Sequence, residues 1–393
     1  MVDKNFNRRY FLRASAAVSL GACAGRLFGQ EKSFAAKYPI PALDSSYIYL
    51  CPELVEITAP GSLVRPDGTS ICSWSRRPYL DINLEDAKFY SLPYFQRYRM
   101  KKWDMYHVET PEHYLSFIIS WIGYGAFCSA YVYERKTRQG FEGISLKPPR
   151  PELKMMRDST TGVSEFKSGK ATASFEVQGE HRKIKIDFPG FAKTGLSADI
   201  DLYLPAADEI ICATHLTSPR RMHYDVKINC MPAQGEFRLA GKSFKLDPEN
   251  SFGMLDFGRG FFPPKLFWYW VVASGLDGKG KRLGFNLGHG NSPHQTNENA
   301  IFYDGKVSKI NEIKVKVPQD NLMKPWKAWS EDGRVELSFS PESVRYSNLK
   351  IGSMHSLGNP ALGIFSGALK LDSGEKIDVS NLFGACEWFD QKW

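Results

Sequence analysis

The sequence predicts an all-β protein with few helices, and three features predict it. Apolar and polar residues alternate with period two through much of the chain. Aromatic residues are abundant, at 26 Phe, 18 Tyr and 9 Trp, and such side chains favour strands. Gly, Pro, Asn and Asp fill the gaps between the alternating runs. Many short strands of this kind close as antiparallel barrels or pack as sandwiches.

Alternation places strands over Tyr114–Trp121, Ala126–Glu134, Ala173–Val177, Lys183–Phe188, Leu196–Leu204, Phe237–Ala240, Arg334–Phe339 and Leu362–Leu371. Phe267–Ala273 and Leu283–Leu287 read as a hairpin turning through Gly275-Leu276-Asp277-Gly278. Helical periodicity is confined to Leu84–Tyr90 and Pro93–Tyr98. Lys147–Lys170, opening with Pro148-Pro149-Arg150-Pro151, is the most loop-like interior stretch. Pro205-Ala206-Ala207-Asp208 is a second break near the middle, and it predicts two β domains, 39–207 and 208–393.

The first residues carry an address. Asn7-Arg8-Arg9-Tyr10-Phe11-Leu12-Arg13 sets paired arginines before a weakly apolar run, Ala14–Ala22, rich in Ala and Ser. Basic, then apolar, then small is the layout of a secretory signal, and the adjacent arginines specify the twin-arginine route. Nine residues reach only about 14 Å as a helix against roughly 30 Å of hydrocarbon, so the run is too short to span a membrane. Leu20-Gly21-Ala22-Cys23 resembles the lipobox of bacterial lipoproteins, which implies lipid attachment at Cys23 after removal of 1–22, with 23–38 as a tether. The alternative is ordinary cleavage near Gly29-Gln30. The expected location is the periplasmic or cell-envelope face, with the membrane as a partner through the lipid anchor.

Composition narrows the function classes. The formal net charge is +8, of which the first 22 residues hold Lys4, Arg8, Arg9 and Arg13 against Asp3. No run of like charge is long enough for a nucleic-acid tail, and no nucleic-acid partner is expected. There is no Walker loop, G-x-G-x-x-G or nucleophile elbow. The seven cysteines include no C-x-x-C pair, and at most one disulfide is expected.

The densest stretch runs from Asp256 to Asn299: Asp256-Phe257-Gly258-Arg259-Gly260, Phe267-Trp268-Tyr269-Trp270, Gly284-Phe285-Asn286-Leu287-Gly288-His289-Gly290 and Asn297-Glu298-Asn299-Ala300. With Lys101-Lys102-Trp103-Asp104, Met323-Lys324-Pro325-Trp326 and the ending Gly363-Ile364-Phe365-Ser366-Gly367, Leu371-Asp372-Ser373-Gly374 and Glu387, the order of motifs resembles the domain-of-unknown-function family twenty-eight-oh-four. One departure is Asn297, where that pattern has Thr. The resemblance implies two lipocalin-like antiparallel barrels packed side by side around apolar ligand space, and hence a small-molecule ligand.

The residues themselves suggest where chemistry would sit. Asp256 and Arg259, read as a glycine-flanked turn, offer an acid or base beside a cation, or else a structural Asx-turn. Trp268 and Trp270 have strand spacing and share a face, lining a ligand pocket, stacking on a sugar or filling core. Asn286 is polar inside an apolar run and needs a partner. Glu298 and Asn299 follow a loop. Asp256, Arg259 and Glu298 are therefore expected to converge on one cavity as catalytic candidates, with Trp268, Trp270, Asn286 and Asn299 binding ligand. His289, His294 and Glu298 fit no regular metal spacing, so neither metal nor cofactor is expected. The function predicted is binding of an apolar or amphipathic molecule, with acid/base chemistry of hydratase or isomerase type. The alternative is a carbohydrate-directed envelope protein.

Overall fold

The computed structural model describes residues 28–29, 40, 55–89, 93–148, 153–204, 207–218, 221–290 and 297–392. Arg8, Arg9, Cys23 and His294 lie outside the described residues, so the export signal and the lipid site do too. Two antiparallel sheets, each curled into a half-barrel, pack together with almost no helix. Among the described residues the helical segments are Pro93–Arg99 and the short 3-10 turns Leu84–Asp86 and Phe191–Lys193.

Six strands at the centres of the sheets matter most here: β1 (Met100–Glu109), β2 (Arg221–Leu239), β3 (Phe252–Phe261), β4 (Lys265–Leu276), β5 (Arg282–His289) and β6 (Lys376–Lys392). In the first sheet β3 lies between β1 and β2; in the second, β4 lies between β5 and β6. The expected β4–β5 hairpin forms, with Val272 opposite Asn286. The chain passes from one sheet to the other between Phe261 and Lys265. At the 205–208 break it stays within the first sheet, which holds both Leu196–Tyr203 and Ile210–Ser218. Proline marks an interrupted strand, whichever sheet comes next. Phe28–Gly29, inside the segment read as a tether, pairs with Tyr346–Ser347.

Each half-barrel encloses its own core. Tyr106, Phe117, Phe175, Ile184, Tyr224 and Phe257 belong to the first, and Phe285, Trp326, Phe339, Phe365 and Trp388 to the second. A thinner apolar layer joins the sheets, with Tyr114, Tyr131 and Tyr133 against Leu362 and Phe383, and Met254 against Trp270 and Val272. Every residue of β3 is buried, because one face looks into the first core and the other into this junction.

Strand parity then sorts the polar residues. Successive side chains point to opposite faces. On β2, Met222, Tyr224, Val226 and Ile228 enter the first core, which leaves His223, Asp225 and Lys227 on the junction face. On β3, Leu255, Phe257 and Phe261 enter that core and Asp256 takes the other side. A bulge after Ile228 puts Cys230 at φ +59°. Beside it, the Asn229 Nδ2 donates to the Ala273 and Phe285 carbonyls at 3.1 and 3.2 Å, tying the first sheet to the second. Cys72 is disulfide-bonded, whereas Cys128, Cys212, Cys230 and Cys386 are buried thiols.

Candidate functional site

Lys227 stands at the centre of the junction with its side chain 4% exposed. Its Nζ lies 2.7 Å from Asp256 Oδ1, 3.1 Å from Asp225 Oδ2 and 3.6 Å from Glu298 Oε2. The pairing register dictates the shortest of these, since Lys227 and Asp256 are direct cross-strand partners. Asp225 is two residues back on the same face. Glu298 arrives from beyond β5, where Gly288 leaves room: a Cβ there would stand 3.3 Å from Glu298 Oε1.

Tryptophans wall the cluster. Trp103 Nε1 donates to Asp256 Oδ1 at 2.8 Å. Its indole lies directly over Gly258, where a Cβ would come within 2.1 Å of the ring, so only glycine permits this arrangement. On the opposite side the Lys227 ammonium sits 5.1 Å from the Trp270 ring centre, a cation–π distance. Trp270 Nε1 donates to Asn286 Oδ1 at 2.7 Å, and Asn286 Nδ2 donates to the Glu298 carbonyl at 3.0 Å. Lysine, tryptophan, asparagine and glutamate thus form a closed ring of contacts. Trp268 donates to Glu387 Oε1 at 3.1 Å and stacks on Phe389.

Burial sets the electrostatics. It raises the carboxyls of Asp256 and Asp225 above the usual carboxylate range, with Lys227 pulling both back. Burial alone would depress Lys227, but Asp225 and Asp256 together outweigh it and hold the ammonium above its ordinary pKa. Burial pushes His223 and His107 down to about 3, so both rings are neutral. Glu387 is raised by burial to about 7. A fixed cation beside carboxyls that keep their protons more tightly than usual can donate or accept a proton at an apposed ligand atom. The cluster reaches solvent at Glu298 and His223, whose side chains are 18% and 14% exposed.

Asp256 and Glu298 therefore share one ammonium, that of Lys227, with Trp270 packed against it; the sequence reading expected them to meet Arg259 at a cavity. Arg259 does not join them. The expected glycine-flanked turn is a continuous strand, and an odd spacing of three residues on a strand sends two side chains to opposite faces. Arg259 turns into the first core, 1% exposed, and pairs with Asp104 at 2.7 Å. Asn299 is a structural tie, accepting from Gly288 N and donating to the Asn311 carbonyl. Asn297, the departure from the family pattern, accepts from Lys309 Nζ at 2.7 Å and from Asn299 N at 2.9 Å. Trp270 is 5% exposed, with Lys227 and His107 against its ring, so it offers no open face to a sugar.

Sequence reasoning missed His223, Asp225 and Lys227 as site residues. The signal was present: three ionisable residues alternate with Met222, Tyr224, Val226 and Ile228. Alternation of that kind ordinarily marks a solvated strand face, and only the docking of a second sheet buries it.

The family model for the domain of unknown function DUF2804 matches residues 54–393. No protein with a curated description matches. Among solved structures, the chain is similar to a protein assigned as AttH from Nitrosomonas europaea at 10% identity, covering 75% of this chain and 92% of that one with a TM-score of 0.40. It is also similar to kievitone hydratase from Nectria haematococca at 10% identity, covering 74% and 88% with a TM-score of 0.36. The family match covers all of the first sheet and all of the second but Phe28–Gly29, and the chain belongs to the DUF2804 family.

Proposed function

We propose that the protein binds one apolar or amphipathic small molecule at the sheet junction and acts on it by proton transfer. The observation that carries this reading is the buried Lys227 held between Asp256, Asp225 and Glu298 under tryptophan walls. Trp103, Trp268 and Met105, the incompletely buried apolar residues around the cluster, suit an apolar body. The ammonium and carboxyls suit a single oxygen function at its end. Asp256 is the proton-carrying group, with Lys227 stabilising negative charge that develops on the ligand oxygen; hydration or double-bond isomerisation needs both roles. Glu298, at the solvent side, orders the entering polar group.

Native mass spectrometry of protein purified from its own host tests this. One small molecule per chain is expected, released on denaturation and absent from Asp256→Asn and Lys227→Met. An empty wild-type protein, or a ligand retained equally by both variants, overturns the reading.

The same reading places the protein outside the cytoplasmic membrane, exported by the twin-arginine route and anchored through a lipid on Cys23. The order of basic, apolar and small residues before Leu20-Gly21-Ala22-Cys23 supports it. Replacing Arg8 and Arg9 by Lys should hold an unlipidated precursor in the cytoplasm, and Cys23→Ser should release the mature chain from membranes. Membrane association of Cys23→Ser that survives a high-salt wash would sink the anchor.

A further inference from the structure

We propose that His223, Asp225 and Glu298 form a binding site for one divalent transition-metal ion. His223 and Asp225 are two apart on β2 and so face the junction together. One donor atom from each of the three residues lies within 4.8 Å of the other two. His223 Nε2 and Asp225 Oδ1 face each other at 3.8 Å. Among the described residues neither atom has a hydrogen-bond partner, although Asp225 is only 2% exposed. A buried acceptor left without a partner costs about 1–3 kcal/mol, which a bound ion would remove.

Distances decide whether an ion fits. Ligand bonds of about 2.0–2.2 Å place two donors at most roughly 4.4 Å apart across one ion. The histidine–aspartate pair already meets that limit. Glu298, at the solvent side of the cluster, needs to draw in by less than about an ångström. The oxygens are also divided suitably. Lys227 takes Asp225 Oδ2, leaving Asp225 Oδ1 for the ion, and Glu298 offers one carboxylate oxygen within reach of both other donors. Charge points the same way: three carboxylates surround one ammonium, so two positive charges are wanting when all are ionised. One imidazole nitrogen with two carboxylate oxygens suits Zn²⁺, Co²⁺ or Mn²⁺ over the softer thiophilic ions. Lys227 opposes the ion across the shared carboxylates and moderates its affinity.

The probe is Co²⁺ alone, titrated into the full-length chain after stripping with chelator, with visible absorption as the readout and Zn²⁺ as competitor. The readout is independent of any organic ligand, so its failure and the failure of the proton-transfer reading can be told apart. One Co²⁺ per chain is expected, displaced by Zn²⁺. Losing a second-sphere partner alone costs about 10–100-fold, so His223→Gln and Glu298→Gln should each weaken binding by at least about tenfold. Lys227→Met should tighten it. Glu298→Gln lies at the partly exposed side of the cluster and guards against misfolding, and near-ultraviolet circular dichroism checks each variant. Absence of saturable Co²⁺ binding in the wild type overturns the proposal. So does equal affinity in the wild type, His223→Gln and Glu298→Gln, or loss of binding on His289→Ala.

Discussion

Arg259→Ala separates an architectural arginine from a ligand-binding one. Arg259 Nη2 donates to Asp104 Oδ1 at 2.7 Å and to the Met156 carbonyl at 2.9 Å. Its Nη1 donates to the Trp103 and Gly258 carbonyls at 2.7 and 2.9 Å. Asp104 is fully buried. Alanine would leave that carboxylate without its cation and take the guanidinium from three carbonyls, in a core that cannot admit bulk water. Breaking a buried pair from one side costs about 3–5 kcal/mol. Replacing both partners by apolar groups, Arg259→Met with Asp104→Leu, removes the orphaned charge and should recover most of the loss, to within about 2 kcal/mol of wild type. Urea unfolding followed by far-ultraviolet circular dichroism and by tryptophan fluorescence measures this, with unchanged m-values as the condition for comparing midpoints. If Arg259→Ala unfolds within about 1 kcal/mol of wild type while losing its ligand, Arg259 belongs to the site and the two-face assignment of β3 fails.

Gly258→Ala places a methyl within about 2.1 Å of the Trp103 ring and must expel it from Asp256. Overpacking of that kind costs about 1–3 kcal/mol, and the near-ultraviolet signal of the indole should change; an unaltered signal at full stability contradicts the packing described. Glu387, raised to about 7, holds its proton more tightly folded than unfolded. Its contribution to stability is therefore full below about pH 4.5 and is lost as pH rises towards 7, by up to about 3 kcal/mol. Glu387→Gln should flatten that decline in a pH series of thermal melts, and a slope identical to wild type would count against it.

Much of the fold was legible because alternation is a local property. Ala126–Glu134 forms a strand over those same residues, and the β4–β5 hairpin follows from its turn. Asp256 was singled out for its glycine-flanked setting and Glu298 for following a loop, whereas the register that sets both beside Lys227 is a matter of strand pairing that no local pattern carries. Arg259 was misplaced because its glycine neighbours suggest a turn, whereas Gly258 is there to admit the Trp103 ring. Lys227 escaped because burial of a strand face depends on what docks against it, and that partner, β4 with Trp270, comes more than forty positions later in the sequence. The crossing between sheets was equally hidden, since nothing local distinguishes Phe262-Pro263-Pro264 from the earlier proline break.

The central pairing of the first sheet has a consequence during synthesis. β1 pairs with β3, and the Trp103–Asp256 and Asp104–Arg259 contacts close loops of 153 and 155 residues. At about 5–20 residues per second, a ribosome needs roughly 8–30 s to deliver β3 after β1 has emerged. Throughout that interval β1 can pair on one side only, with His113–Trp121, and its other edge stays open. Such long closures also make the search slow once the chain is complete. In refolding, strand content measured by circular dichroism should return before the fluorescence of Trp103, and a holding chaperone should raise yield most when present before residue 261 is made.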